Sequence, residues 1–198
     1  MKLDTTISES VEQDTRRWLE RAVIGLNLCP FAKAVHTKGQ IHYAVTAATE
    51  TEALLAALAE ELEALAECDP EQRSTTLLVA PFVFPDFLDF NDCLELADQL
   101  LVDMKLDGIL QIASFHPRFQ FAGTLPDDIT NATNRAPYPT LHLLRESSID
   151  AAVAAFPEAE SIYLKNIATL EALGPAGYAA LEVGPTLPHT IGNMGDSV

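Results

Sequence analysis

The sequence predicts an α/β fold: a small sheet of at least three mostly parallel strands, with packed helices and a long functional loop after the third strand. Stretches with apolar residues at helical spacing alternate along the chain with β-rich or continuously apolar runs. Strands that alternate with helices are usually joined by right-handed crossovers and run parallel. The length of 198 residues suits one domain, which we place at residues 1–181, followed by a flexible tail at 182–198.

Three segments carry the strand patterns. Residues 40–47 alternate between apolar and polar types, which is typical of a half-buried strand. Residues 75–83 form a nearly continuous apolar run, which favours a strand covered on both faces. Residues 109–115 form the third strand and lead directly into His116. Since ligands of open α/β sheets bind beyond the carboxyl ends of strands, His116 lies where a site is expected.

Helices are predicted before and between these strands. The first stops at Pro30, just after Cys29. The second starts at a capping box formed by Thr49 and Glu52, and the third starts near Asp86.

The segment after the third strand has a different character. Residues 117–137 lack periodicity and contain several turn signals, which predicts a long ordered loop with a function. Pro139 then suits the first position of a helix that extends to Glu146. A short helix restarts at Ser147 and is broken by Pro157, and a last helix ends at 174.

Composition limits the kinds of partner. The net charge of −17 argues against nucleic acid and against anionic membranes, because the protein would approach a polyanion against its own field. No apolar run is long enough to span a bilayer, and the polar N-terminus does not suit a signal peptide, so we expect a soluble cytoplasmic protein. Three cysteines without a CxxC pair predict reduced thiols.

In the segment that contains the long loop, basic residues are not outnumbered by acidic ones. Residues 108–145 contain three arginines, Arg118, Arg135 and Arg145, against two acidic residues. Arginine binds carboxylates and phosphates through paired hydrogen bonds, so these side chains, together with Asn134, predict a site for a small anion. The alternative is that the arginines bridge loop carbonyls and nearby acidic side chains.

Two histidines and one carboxylate suggest a metal site. On a helix over 139–146, His142 and Glu146 would share one face, and His116 from the strand end would complete a His/His/Glu set that suits a divalent transition metal. The same groups could serve as acid and base without a metal. The alternative is that His142 is a half-buried, hydrogen-bonded histidine and that Glu146 pairs with Arg145 or Arg135.

Cys29 is a candidate nucleophile. At a helix C-terminus the macrodipole disfavours a thiolate, which by itself predicts an inert cysteine. A neighbouring His116 or Lys33 would reverse this and create a thiol enzyme. Cys68 and Cys93 lie on predicted helices and are expected to be packing residues.

Four motifs carry a family resemblance. The segments GLNLCPFAKAV, LDFNDCLELAD, ASFHPRFQFAGT and TNRAPYPTLHLLRE occur in this order and together resemble a bacterial family of domain-of-unknown-function proteins, number 1415 in that series. Ala136 stands where the family pattern has Ser. The resemblance implies a bacterial cytoplasmic protein and implies no activity.

We therefore expect an enzyme that acts on a small anionic metabolite. The alternatives are a thiol enzyme centred on Cys29, and a non-catalytic module that binds an anion or another protein. In each case one cavity should gather the distant polar residues, namely Cys29, His116, Arg118, Asn134, Arg135, His142 and Glu146.

Overall fold

The computed structural model describes residues 3–155 and 161–187, and a four-stranded mixed sheet forms its centre. The strands are β1 (Ile41–Val45), β2 (Thr75–Val79), β3 (Leu110–Phe115) and β4 (Thr140–Arg145). Their spatial order is β1-β2-β4-β3. β1 and β2 pair in parallel, whereas β4 pairs antiparallel with both β2 and β3. The α/β class is confirmed, and the expectation of a mostly parallel sheet is wrong.

The unexpected strand is β4, which occupies the segment predicted to be a helix over 139–146. Its side chains follow a period of two: Leu141 and Leu143 face one side of the sheet, and His142 and Leu144 face the other. Between β2 and β3 the segment forms hydrogen-bond ladders along both edges, and this pairing outweighs the weak helical pattern. The first three strands do point in one direction, but β4 separates β3 from β2.

The helical segments in chain order are α1 (Thr5–Trp18), a π-helix (Leu19–Ile24), α2 (Ala32–Thr37), α3 (Thr51–Glu67), α4 (Phe87–Asp103), a 3-10 helix (Ile129–Asn134), α5 (Glu146–Ala155) and α6 (Ser161–Ala179). Asp86 caps α4 as predicted, because its carboxylate accepts the backbone N–H two residues further on. The capping box expected at Thr49 does not form: Glu50 is the residue before α3, and its side chain makes no capping bond. α6 is kinked at Gly174, where the sequence predicted its end.

Two hydrophobic layers cover the sheet. On one face, α3 and α4 bury Leu58 and Phe90 against Leu143 of β4. On the other face, α1 buries Trp18 against Val79 of β2. The two faces are called here the α3/α4 face and the α1 face.

The long loop is closed around one buried side chain. The Asn131 side-chain oxygen accepts the backbone N–H of Phe121 at 2.9 Å and the hydroxyl of Thr124 at 2.8 Å, and its Nδ2 donates to the Leu125 carbonyl at 2.9 Å. These bonds satisfy backbone groups that have no strand or helix partner. The loop is therefore ordered by its own polar side chains.

The C-terminal end of the described chain packs on α1. Arg17 donates from Nε to the carbonyl of Glu182 at 2.8 Å, and the hydroxyl of Thr186 donates to Asp14 at 2.8 Å. Residues 182–187 of the segment expected to be a flexible tail thus make defined contacts, whereas 188–198 and the predicted break at Pro157 lie outside the described residues. Within the described part of the chain, no helix has the length and apolar character to cross a membrane.

Candidate functional site

Arg145 closes the C-terminal end of α3. Its Nη2 donates to the carbonyls of Leu65 and Cys68, both at 2.6 Å, and to that of Arg73 at 3.2 Å. The last carbonyls of a helix have no partner within the helix, and a cation there is favoured by the macrodipole. Arg145 is also buried on the α3/α4 face. Its guanidinium bonds to backbone carbonyls, which is the alternative to anion binding that was considered for the three arginines.

Arg135 and Asn134 also bond to backbone carbonyls of the chain. Arg135 donates from Nε to Phe119 at 3.1 Å and from Nη2 to Pro126 at 2.6 Å. Asn134 donates from Nδ2 to the carbonyl of Ser114 at 3.4 Å, beside the end of β3. These two side chains fasten the long loop to itself and to the sheet.

Arg118 lies at the surface. It donates to the carbonyl of Pro85 and pairs with the carboxylate of Asp86 at 3.1 Å, with 60% of its side chain exposed. An exposed pair of this kind contributes little to stability, about 0–1 kcal/mol. Its contacts hold the start of α4 near the loop.

His116 is a fully buried histidine with both ring nitrogens bonded. Its Nε2 donates to the carbonyl of Phe84 at 3.0 Å, and its Nδ1 accepts the backbone N–H of Arg118 at 3.0 Å. The ring lies against Phe87 and Phe90 on the α3/α4 face, with centroids 5.6 and 5.3 Å away. Burial lowers the pKa of His116, and its bond to Phe84 only partly opposes this shift. A neutral ring with both nitrogens already hydrogen-bonded is suited to a structural role in the loop.

His142 projects from the other face of the sheet, so the structure separates it from His116. Glu146 begins α5, and its backbone N–H donates to the carbonyl of Ile109 at 3.0 Å. Since 139–146 is not a helix, the i,i+4 geometry that was to join His142 and Glu146 is absent. Among the residues that the structure describes, no three His, Cys, Asp or Glu side chains are placed to hold a metal ion. The predicted His116/His142/Glu146 metal site is not assembled.

Of the predicted site residues, Cys29 and His142 do line one cavity. The cavity measures about 370 Å³ and lies on the α1 face of the sheet. Its walls come from the end of α1 and the π-helix, from α2, from the sheet and from α5. The lining residues are Trp18, Leu19, Val23, Cys29, Phe31, Ala32, Val35, Ile41, Ser74, Thr75, Leu77, Gln111, Phe115, His142, Leu144, Ser148, Ile149, Ala152 and Val153.

The described residues that form the wall of this cavity are mostly apolar and carry no formal charge. None of the described residues that line it is Asp, Glu, Lys or Arg. The few polar side chains include Gln111, Ser148 and the pair formed by Thr75 and His142. A largely apolar cavity of a few hundred Å³ with a small number of polar groups is the usual form of a small-molecule site.

Thr75 and His142 form the polar centre of the cavity. Nε2 of His142 lies 2.8 Å from Oγ1 of Thr75, and the ring lies 6.0 Å from that of Phe115 between centroids. His142 as a residue is half-buried, and it lines the cavity. Its ring is surrounded by other protein atoms. Desolvation by burial lowers the pKa of His142 to about 4. The imidazole is therefore neutral at physiological pH.

A π-helix forms part of the wall. α1 continues without a break into the π-helix, whose residues Leu19 and Val23 line the cavity. A π-helix is rare and is frequently found at functional sites.

Two important lining residues, Thr75 and Trp18, were not among the predicted site residues. Thr75 lies at the start of a strand whose sequence is mostly apolar. Its partner His142 was predicted to lie on a helix. The available signal was the polar pair Thr75 and Thr76 at the edge of a buried run. Trp18 fits the helical pattern of α1, and this pattern does not distinguish packing from cavity lining.

Comparison with known proteins identifies a family and no activity. A family model described as "Protein of unknown function (DUF1415)" matches residues 10–180. Neither the curated proteins nor the solved structures contain a match to the chain.

Proposed function

The chain belongs to the DUF1415 family, and we propose that it binds a small, largely apolar molecule in the cavity on the α1 face of the sheet. The observation that supports this most strongly is the cavity itself, which has a volume of about 370 Å³ and no charged residue in its described lining. Emptying such a space of water and filling it with apolar atoms is favourable, at about 25 cal/mol for each Å² of apolar surface removed from water.

The anionic metabolite expected from the sequence fits this cavity poorly. The expectation relied on the three arginines of residues 108–145, and none of them lines the cavity. Each guanidinium instead donates to backbone carbonyls of the chain. An anion in the cavity would lose its water without gaining a cation, which is strongly unfavourable.

Helix α5 offers a route by which a ligand enters. Ser148, Ile149, Ala152 and Val153 of this helix line the cavity, and none of residues 146–154 is buried. A segment with little buried apolar surface opens at a lower free energy than the core of a domain. The cavity is already partly open to solvent, and we propose that movement of α5 widens this opening while the sheet and α1 stay in place.

The single tryptophan provides a direct test. Trp18 is 2% exposed and lines the cavity, so an apolar ligand that displaces water beside it will change its fluorescence. The full chain is titrated with nonanol and, separately, with 2-nonanone, both uncharged. A saturable change with either molecule is expected, and no change with both would overturn the proposal.

Two neighbouring alanines provide a matched pair of variants. Ala152 lines the cavity, whereas Ala151 is exposed and does not. Ala152→Phe should occupy a large part of the cavity and weaken the fluorescence response, because the added ring and the ligand compete for the same volume. Ala151→Phe adds the same ring outside the cavity and should leave the response unchanged, with thermal melting as the check that both variants fold.

A second candidate function is thiol chemistry at Cys29. The observation that favours it is that Cys29 lines the same cavity as the neutral His142, in place of the His116 or Lys33 partner expected from the sequence. A neutral imidazole near a thiol can act as its general base. The test is the rate of alkylation of Cys29, which should fall in His142→Leu if the histidine activates the thiol and stay unchanged if it does not.

A further inference from the structure

The hydroxyl of Thr75 determines which nitrogen of His142 carries a proton. Oγ1 of Thr75 lies 2.6 Å from the carbonyl oxygen of Leu143 and 2.8 Å from Nε2 of His142. Two oxygens so close together repel each other unless a hydrogen lies between them, and a hydroxyl has one hydrogen to give. That hydrogen therefore points at Leu143. Thr75 must then accept the second bond, so Nε2 of His142 is the nitrogen that bears the proton.

The other ring nitrogen, Nδ1, is left as an acceptor. A neutral imidazole with its proton on Nε2 has a lone pair on Nδ1. Within residues 3–155 and 161–187, the one hydrogen bond of the His142 ring is that to Thr75. His142 is half-buried and lines the cavity, so the cavity is the space in which a partner for Nδ1 can lie.

We infer that the cavity takes a largely apolar molecule with one uncharged hydrogen-bond donor, a hydroxyl or an N–H group, which bonds to Nδ1 of His142. The inference rests on the proposed binding function and specifies its ligand. A donor matches the lone pair of Nδ1, whereas the oxygen of a ketone, an ester or a carboxylate would face it with another lone pair. A carboxylate would in addition place a charge where the described lining provides no Lys or Arg.

The volume sets the size of the ligand. A cavity of about 370 Å³ holds on the order of a dozen non-hydrogen atoms, at the ~30 Å³ that a water-sized group occupies. An unbranched alcohol such as nonanol has this size. Its hydroxyl can bond to Nδ1 while the alkyl chain contacts apolar wall residues such as Trp18, Val35 and Ile149.

The test compares three molecules with the same number of carbon atoms. The full chain is titrated with nonanol, 2-nonanone and nonanoate at neutral pH, and Trp18 fluorescence reports binding. We expect nonanol to bind at least about tenfold more tightly than 2-nonanone, because the ketone offers no donor to Nδ1 of His142 and its oxygen keeps its desolvation cost beside that nitrogen. Nonanoate should bind more weakly than either. Equal or tighter binding of 2-nonanone would overturn this inference and leave the proposed function standing, as would equal or tighter binding of nonanoate when nonanol or 2-nonanone also binds. No response to either uncharged molecule would overturn both.

Variants of the polar pair separate the role of His142 from that of other polar lining residues. His142→Leu removes the acceptor and should abolish the preference for nonanol.

Thr75→Val removes the oxygen that holds the proton on Nε2. The proton can then move to Nδ1 and donate to a ketone, so the preference for nonanol should shrink or reverse. Thr76→Val is the matched control, since Thr76 is buried on the opposite face, and it should keep the preference. An unchanged preference in Thr75→Val contradicts the inference.

Discussion

The carboxylate of Asp14 accepts a hydrogen bond from the hydroxyl of Tyr138 at 2.7 Å, although 124 residues separate the two in sequence. The same carboxylate accepts the backbone N–H and the hydroxyl of Thr186 and a guanidinium N–H of Arg17. One buried side chain thus joins α1, the segment before β4 and the C-terminal end of the described chain. Burial by itself would raise the pKa of Asp14, but the hydrogen bonds from Thr186, Tyr138 and Arg17 outweigh it and lower the pKa.

Asp14→Asn should therefore destabilise the protein by about 3 kcal/mol, because the amide removes the charge and puts an N–H donor in place of one of the two oxygens that accept these bonds. The free energy of unfolding, measured in urea, gives this value directly. A folded-state pKa below the usual 3.8 means that the stabilisation is complete well above pH 4 and is lost as the pH falls through the lowered pKa. The variant should lack this acid-side loss.

Glu12→Gln is the control for this experiment. Glu12 pairs with Arg16 on the exposed surface of the same helix, and such a pair contributes at most about 0.5 kcal/mol. If the two variants lost the same stability, the network around Asp14 would not have the importance that its burial implies.

The sequence predicted the strands that have clear boundaries and missed the one that depends on tertiary pairing. β3 begins and ends within a residue of the predicted range, because α4 ends at Asp103 and a turn with Gly108 at a positive φ leads directly into the strand. The segment of β4 contains leucines that satisfy both a helical and an alternating pattern, and Pro139 is acceptable at the start of either element. The segment becomes a strand because it pairs with the free edges of β2 and β3. The sequence of the segment itself contains no sign of these two edges.

The candidate site illustrates the same limit. Cys29 and His142 were predicted and do line the cavity, but the partner of His142 is Thr75, which lies 67 residues earlier and was not singled out. The arginines were correctly recognised as unusual, yet a sequence does not tell whether a guanidinium meets a ligand or a backbone carbonyl. That distinction depends on where the long loop places its own carbonyls.

Arg145 and Arg118 provide a contrast between a buried and an exposed arginine, both of which the sequence assigned to anion binding. Arg145→Met should lower the free energy of unfolding by about 2–4 kcal/mol, because the C-terminal carbonyls of α3 lose a charged donor in a buried position. Arg118→Met should change it by less than about 0.5 kcal/mol, since that side chain is 60% exposed. Urea unfolding of both variants tests the contrast, and comparable losses would contradict the assigned roles.

His142 should make stability depend on pH on the acid side of neutrality. Its pKa is lowered from 6.5 to about 4 by burial, so between these values the unfolded chain binds the proton that the folded chain excludes. Stability should therefore fall as the pH drops from about 6.5 to 4, by up to about 3 kcal/mol from this residue. In His142→Leu the slope should be smaller. His116 and His42, whose pKa values burial also lowers, will leave a residual slope of the same sign.

The reactivity of Cys29 should report occupation of the cavity without relying on fluorescence. Cys93 is buried, and burial raises the pKa of its thiol, so it should react slowly; Cys68→Ser removes the other half-buried thiol. In that background, the rate of alkylation by iodoacetamide reports on Cys29, which lines the cavity.

Nonanol should slow the reaction because it covers the thiol. Half of the protection should be reached at the concentration that half-saturates the Trp18 fluorescence change. Protection should require more nonanol when Ala152→Phe is added to this background, and a rate that nonanol leaves unchanged at saturation would place the ligand elsewhere.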